Sequence, residues 1–386
     1  MKIEIIGKFF DNHSLSIINR EIATRLSDKF DVYITPVDPF SNQAKMPIDK
    51  LKQLKNLSEK ELNVPDIQVR HVYPPIWNWP IDRKTKVVYI QPWEWEKIPF
   101  EWQHKFETFA DALIVPSNWE KALFSKAGLN PNKLFSVANG YDDKLFNKLK
   151  GNAFEGVDPD KFNFIYVGCS QHRKGLDIVL NAWKDTFTRA DKARLILKDT
   201  PKIYGASNIL NETIRIQYTH NCAPIHYIDD DLSAEQMADL YKASKVIVHP
   251  YRAEGFGMPV QEALACGCLP IVPNGGPTDE FVGEVAYKIP VERKTFDIHD
   301  PKFFAFKPGD AGTHMNSHAF YNEPHLDSFQ NLMRKIYMNH QKEKEFKKVR
   351  EHDCKNTWSN VIPEYEKVFE TIHNFPSTQR VDKTVK

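Results

Sequence analysis

Cysteine is scarce in this chain, and the few thiols form no pattern. Five cysteines occur in 386 residues. They are odd in number and scattered apart from Cys266 and Cys268, so neither a disulfide framework nor a zinc-ligand spacing is present and a reducing compartment fits best. Charge of one sign is lacking too. Lys plus Arg number 52 against 51 Asp plus Glu, so no global field draws the chain to nucleic acid or to an anionic membrane. Long apolar runs are missing. The opening MKIEIIGKFF is too short for a signal-peptide core and too charged to span a bilayer, and no later window is long enough. These absences point to a soluble, cytoplasmic protein with no transmembrane segment and no nucleic-acid partner, with room left for peripheral membrane contact. Repeats and low-complexity tracts are also absent, and no G-x-S-x-G surrounds Ser117, which argues against a hydrolase nucleophile.

What is present is an alternation of strand and helix patterns, the signature of parallel sheets with crossover helices. KIEIIG reads as a strand, and SLSIINREIATRLSD as a helix with Ser14 as its cap. DVYIT (31–35), KVVYI (86–90) and ALIVP (112–116) are further strands, the last leading into a helix stopped by Gly128. A Gly-, Pro- and charge-rich stretch without periodicity follows and reads as a linker. Beyond it FIYVG, ARLILKD, KVIVHPY and LPIVPN read as strands between the helical patterns GLDIVLNAWKDTF and SAEQMADLYKAS. At 386 residues two domains are expected. Two doubly wound units would leave a cleft between the carboxyl ends of their strands. KIYMNHQKEKEFKKVREH reads as a solvated basic helix.

The stretch EGFGMPVQEALACG, residues 254–267, carries the most chemistry. A strand must end before it, and PVQEALACG has helical spacing, so a strand-to-helix turn is expected with Pro259 at the helix start. Free amides at Gly257 and Met258 plus the positive end of a helix dipole make a site for phosphate. Glu254 and Glu262 then lie on different sides of that anion site. Carboxylates do not suit phosphate, but they accept hydrogen bonds from sugar hydroxyls. Read from these residues alone, Glu254 as a turn cap and Glu262 as an offset to the helix terminus fit equally well.

The run from LSAEQMADLYKAS through EGFGMPVQEALACGCLPIVPNGGPTDE (232–280), with PSNWEKALFSKAG and VANGYD before it and YVGCSQHRKGLDIVLNAW between, strongly resembles retaining GT-B glycosyltransferases, glycosyltransferase family 4 in particular. The resemblance implies a GT-B fold of two Rossmann-like domains facing across a cleft. Residues 1–150 would bind the acceptor, 151–162 would link, and 163–355 would bind a nucleotide diphosphate-sugar donor. Residues 356–374 would form a helix packing back on the first domain, and 375–386 a disordered tail. The expected activity is metal-independent, retaining transfer of a sugar to a hydroxyl of a glycan or glycoconjugate, with the sugar nucleotide as co-substrate and no cofactor.

By the same resemblance, Glu254 meets donor-sugar hydroxyls, Glu262 holds the ribose, and Gly255, Phe256, Gly257 and Met258 approach sugar and diphosphate. The family's diphosphate-binding lysine matches Lys174. Its arginine position is taken by Cys169, so either the adjacent Arg173 swings inward as the second cation or it is a surface residue and the site depends on Lys174 alone. In the first half, Glu94 aligns with a cleft-facing glutamate, and His13 belongs to an altered first loop that could face the donor. Trp93 and Trp95 offer aromatic faces for an acceptor sugar, with core packing as the plainer account. Two rival readings compete with this one. Asp229, Asp230 and Asp231 form a D-x-D that could bind a metal, although helix capping explains them. A non-catalytic sugar-nucleotide or glycan-binding protein of the same fold is the other.

Overall fold

The computed structural model describes residues 1–61, 64–205, 208–297, 300, 302–303, 318–340 and 344–375. The expected tail from 376 onward lies outside them. The first half runs β1 (Lys2–Gly7), α1 (Ser14–Leu26), β2 (Asp31–Pro36), α2 (Ile48–Ser58), β3 (Ile67–His71), β4 (Lys86–Ile90), α3 (Phe100–Phe109), β5 (Ala112–Val115), α4 (Asn118–Lys126) and β6 (Leu134–Ser136). Its six strands form one parallel sheet in the order β2-β1-β3-β4-β5-β6. Every residue of β4 and β5 is buried, as expected of parallel strands covered by helices on both faces. On α1 the apolar Leu15, Ile18, Ile22 and Leu26 are buried at helical spacing.

The second half contains β7 (Phe162–Val167), α5 (Leu176–Thr186), β8 (Ala193–Lys198), α6 (Pro201–Tyr204), α7 (Ile209–Thr219), β9 (Ile225–Ile228), α8 (Ala234–Lys242), β10 (Val246–Val248), α9 (Met258–Ala265), β11 (Leu269–Pro273), α10 (Asp279–Val282) and β12 (Tyr287–Ile289). Its parallel sheet has the order β12-β11-β10-β7-β8-β9. An antiparallel pair, β13 (Val291–Asp297) and β14 (His318–Pro324), follows. The chain ends in α11 (Leu326–Asn339), α12 (Lys344–Glu351) and α13 (Trp358–His373). Two doubly wound sheets facing across a cleft are the GT-B architecture.

Each sheet reverses its strand order once, between β1 and β3 in the first and between β7 and β10 in the second. Ligand crevices open beyond the carboxyl ends of strands at such switch points, because successive loops there diverge to opposite faces of the sheet. The loops after β1, β3, β7 and β10 therefore meet at one place.

Several local expectations change. The cap of α1 is His13 rather than Ser14: the imidazole, one residue earlier, accepts from the Leu15 amide. β10 ends at Val248, three residues before Tyr251, and Pro259 occupies the second helical position of α9, after Met258. The basic stretch from 335 is not one solvated helix. It is divided between α11, which buries Phe329, Met333 and Ile336, and α12, which buries Val349. No secondary-structure element covers residues 151–160, and β7 begins at Phe162. α13 packs Trp358, Ile362, Tyr365 and Phe369 into the core of the first half, with Ile5, Ile18 and Ile22.

Candidate active site

A cleft of about 1040 Å³ lies between the two halves. Glu254, Gly255, Phe256, Gly257 and Met258 line it from the loop after β10, and Arg173 and Lys174 from the loop after β7. His13, Trp93, Glu94 and Trp95 line it from the first half. Glu262 does not. It is half-buried on the second turn of α9 and accepts a hydrogen bond from Tyr241 of α8 at 3.1 Å. Burial pushes its pKa up to about 7 against that hydrogen bond.

Backbone geometry explains the loop after β10. Gly257 has φ 96°, the left-handed region that glycine enters without steric cost, and it caps α9 with no side-chain hydrogen bond. Val260 and Gln261 already donate to the Gly257 carbonyl at 2.9 and 3.2 Å and Pro259 carries no N–H, so of the first-turn amides of α9 that of Met258 is left to solvent or ligand. Gly255 is required for a different reason. A Cβ there would stand 2.1 Å from Glu120 Oε1, so this glycine lets α4 of the other half pack against the loop. Ser117, the N-cap of α4, also donates to the Gly255 carbonyl at 3.0 Å.

Glu254 is 7% exposed. Its Oε2 is paired with Lys174 Nζ and accepts from His249 Nε2 at 3.3 Å, while Oε1 accepts from the Gly255 amide at 3.2 Å. Burial alone would raise its pKa, but Lys174, the His249 hydrogen bond and Arg173 outweigh it and hold the carboxyl well below the usual carboxylate range. His249 is fully buried, and desolvation lowers its pKa. The neutral ring therefore donates through Nε2.

Arg173 turns into the cleft and forms an ion pair of 2.9 Å with Glu94 across the two halves. Its Nη1 is buried without a hydrogen-bond partner among the described residues. Burial would lower its pKa, but Glu94 and Glu254 raise it, so the guanidinium is charged throughout the working range. Cys169, at the family's arginine position, is buried. Arg252, close in sequence to Glu254, is instead consumed by Asp177 and Glu323 at 2.7 Å each.

His13 accepts from Leu15 N through Nδ1, so its proton sits on Nε2, which faces Tyr204 OH at 3.3 Å across the cleft. Burial pulls its pKa down to about 4, and at neutral pH it offers a donor rather than a positive charge. Trp93 and Trp95 are 2% and 3% exposed. Trp93 packs edge-on against Trp102, and Trp95 lies against Phe296 and Phe303, so neither offers the cleft a free face. Asp229, Asp230 and Asp231 lie between β9 and α8, off the cleft, where Asp231 pairs with Lys202 at 3.2 Å.

Two acidic residues make contacts across the halves that chain order does not show. Glu280 caps no turn of its own helix. Its carboxylate accepts from the backbone amides of Asn118 and Trp119, at 3.0 and 2.7 Å, and so caps α4 of the other half. Glu120 is completely buried, with neither carboxyl oxygen hydrogen-bonded among the described residues. Burial, and then Glu94, Glu254 and Glu280 nearby, raise its pKa well above the normal value despite the Trp93 backbone.

Comparison with known proteins agrees with this architecture. Residues 150–294 match the family model of glycosyl transferases group 1. The chain is 28% identical over 176 residues to a D-inositol 3-phosphate glycosyltransferase of Rhodococcus erythropolis, 43% of this chain and 39% of that protein. It is 26% identical over 184 residues to an uncharacterized glycosyltransferase of Methanocaldococcus jannaschii, 45% of this chain and 49% of that protein. The matches thus span less than half the length of these relatives. Among solved structures, Anabaena HepE in complex with UDP-glucose superposes with a TM-score of 0.61 at 13% identity, covering 96% of this chain and all of that one. A glycosyltransferase from Rickettsia africae does so with a TM-score of 0.65 at 13% identity, covering 97% of this chain and 100% of its own. Both share the GT-B fold.

Proposed function

We propose that the protein is a retaining glycosyltransferase that moves a sugar from a nucleotide diphosphate donor to a hydroxyl of a glycan or glycoconjugate. The observation that carries this reading is the convergence, at one switch-point crevice, of Arg173, Lys174 and the uncapped start of α9 with the ionised Glu254. Fixed cations and a free amide suit a diphosphate that gains charge as the glycosidic bond breaks. A carboxylate beside them suits sugar hydroxyls, and Glu254 Oε1, which takes only the long Gly255 contact, has capacity to accept one. Glu262 would serve the ribose from α9. Because two side-chain cations and a helix terminus can neutralise the leaving group, no metal is required. Retention follows from the resemblance to family 4, with the leaving phosphate assisting attack on the same face of the sugar. Glu94, Trp93 and Trp95 would lie on the acceptor side.

A panel of UDP-, GDP- and ADP-sugars tested for binding and slow hydrolysis, with and without excess chelator, is the first experiment. One donor should bind and turn over equally in chelator, and Glu254→Gln should abolish turnover in a protein that still melts cooperatively. Binding without turnover of any donor, with any glycan present, would identify a non-catalytic sugar-nucleotide-binding protein instead.

A further inference from the structure

His71 closes β3, beside β1 at the switch point of the first sheet, and lines the same cleft. It is 1% exposed. Its Nδ1 lies 2.7 Å from Asn19 Oδ1. The orientation of that amide is fixed on its other side, because Asn19 Nδ2 donates to the carbonyls of Lys8 and His71 at 3.0 and 3.2 Å. Carbonyls only accept, so Oδ1 must be the atom facing the ring, and an oxygen there requires the imidazole proton on Nδ1. Nε2 is left as a bare lone pair. It is buried and has no hydrogen-bond partner among the described residues.

The surroundings are built around this arrangement. A Cβ on Gly7 would come within 2.3 Å of Asn19 Nδ2 and 2.6 Å of the His71 carbonyl, so β1 must supply a glycine for α1 and β3 to hold the ring. Leaving a buried acceptor unpaired is costly, and such groups in folded proteins call for an explanation. Burial, with His13 nearby, pulls the pKa of His71 down to about 3, so at neutral pH the ring is an uncharged acceptor.

We propose that His71 Nε2 accepts a hydrogen bond from a hydroxyl group of a sugar substrate in the cleft. A diphosphate offers only acceptor oxygens and cannot satisfy a bare lone pair, whereas every sugar presents O–H donors. The inference rests on the transferase reading given above and assigns to it a substrate contact from the first half of the chain. His71 is a binding group here and takes no proton from the hydroxyl.

Two substitutions separate this role from a structural one. His71→Asn keeps an amide donor near the position of Nδ1, facing Asn19, and removes Nε2. His71→Gln gives up the Asn19 contact and returns an amide oxygen to the position of Nε2. The expected result is a roughly three- to tenfold lower kcat/KM for transfer in His71→Asn, the loss of one neutral hydrogen bond. Affinity for the nucleoside diphosphate alone and the melting temperature should stay at wild-type values, and His71→Gln should retain more activity than His71→Asn. Hydrolysis without acceptor that falls in parallel places the hydroxyl on the donor sugar. Hydrolysis that is unchanged while transfer falls places it on the acceptor. The opposite order of activities, a lower melting temperature in His71→Asn than in His71→Gln, or weaker binding of the nucleoside diphosphate alone overturns the proposal. A wild-type protein that turns over no sugar nucleotide removes both this inference and the transferase reading, whereas an active wild type with a fully active His71→Asn removes only this one.

Discussion

Lys174 and Arg173 each face a carboxylate before any ligand arrives, Glu254 in one case and Glu94 in the other. Four charges therefore sum to zero where a diphosphate would have to bind, and one carboxylate must give way. Glu254 is held by Lys174, by His249 and by its neighbour's amide. Glu94 is the more exposed side chain, 25% against 8%, and belongs to the opposite half. Glu94 is thus the anion that yields. Its pair with Arg173 is partly solvated and of the kind worth about 1 kcal/mol or less. Glu94→Gln should then tighten binding of the nucleoside diphosphate by up to about fivefold, and Arg173→Ala should weaken it. Calorimetric titration with UDP, GDP and ADP reads both, and an unchanged or weaker affinity in Glu94→Gln would show that Glu94 is not the competitor. Lys174→Ala differs in kind. It strands Glu254 as a buried, unpaired charge, which costs about 3–5 kcal/mol in such settings, so a marked drop in melting temperature should accompany any loss of binding.

The elements that carry the site do so through short loops whose glycines have unlike purposes. Gly175, between Lys174 and α5, has φ 73°, and a Cβ on it would stand 2.0 Å from the Pro250 carbonyl oxygen. The loop after β7 is thereby pressed on the loop after β10, and Arg173 accepts the Arg252 amide through its own carbonyl at 2.7 Å. Gly175→Ala must relieve both a left-handed conformation and a contact with rigid backbone. It should destabilise the protein by about 1–3 kcal/mol and separate Lys174 from Glu254. Lower thermal stability together with lost diphosphate affinity is expected, and an affinity equal to wild type would detach the loop from the site. Much of this scale was legible in the sequence, because β1, β4, β5, β7 and β8 are apolar runs bounded by breakers. β3 was not, since IQVRH carries an arginine and a histidine where a buried strand is expected to be apolar, and β6 is only three residues long. The same masking hid His71. Its setting depends on Asn19 and Gly7, which lie far away in sequence. Gly140, in VANGYD, is set by packing that the sequence does not show: a Cβ there would stand 2.4 Å from the Trp358 ring of α13. The motif residues of the second half could be placed at one strand-to-helix turn from spacing alone, whereas pairs such as Arg173 with Glu94 depend on how two separately coded sheets face each other.

Across the whole molecule, the two halves are joined at the cleft by contacts made with the donor-side loops themselves. Glu280 caps α4, Ser117 donates to the Gly255 carbonyl, Arg173 pairs with Glu94, and His13 meets Tyr204. Glu120 is enclosed in the middle of this seam, with Gly255 of the opposite half against it. A hinge motion that parts the halves would hydrate Glu120 and return it towards the model-peptide value near 4.3. In the closed arrangement burial, Glu94, Glu254 and Glu280 hold its pKa well above that value. The closed form consequently binds more protons than the open form at every pH between the two values, and the free energy of opening falls as pH rises through that window. Closure is favoured in full only below the open-state pKa and weakens progressively towards neutral pH. Glu120→Gln keeps the size and the neutral state of the side chain while removing the proton linkage. Small-angle scattering of the ligand-free protein from pH 5 to pH 8 should show wild type growing more extended as pH rises. The Glu120→Gln variant should stay compact across the same range. A wild-type profile that is flat, or that becomes more compact with pH, would mean that Glu120 remains covered in every arrangement the two halves adopt.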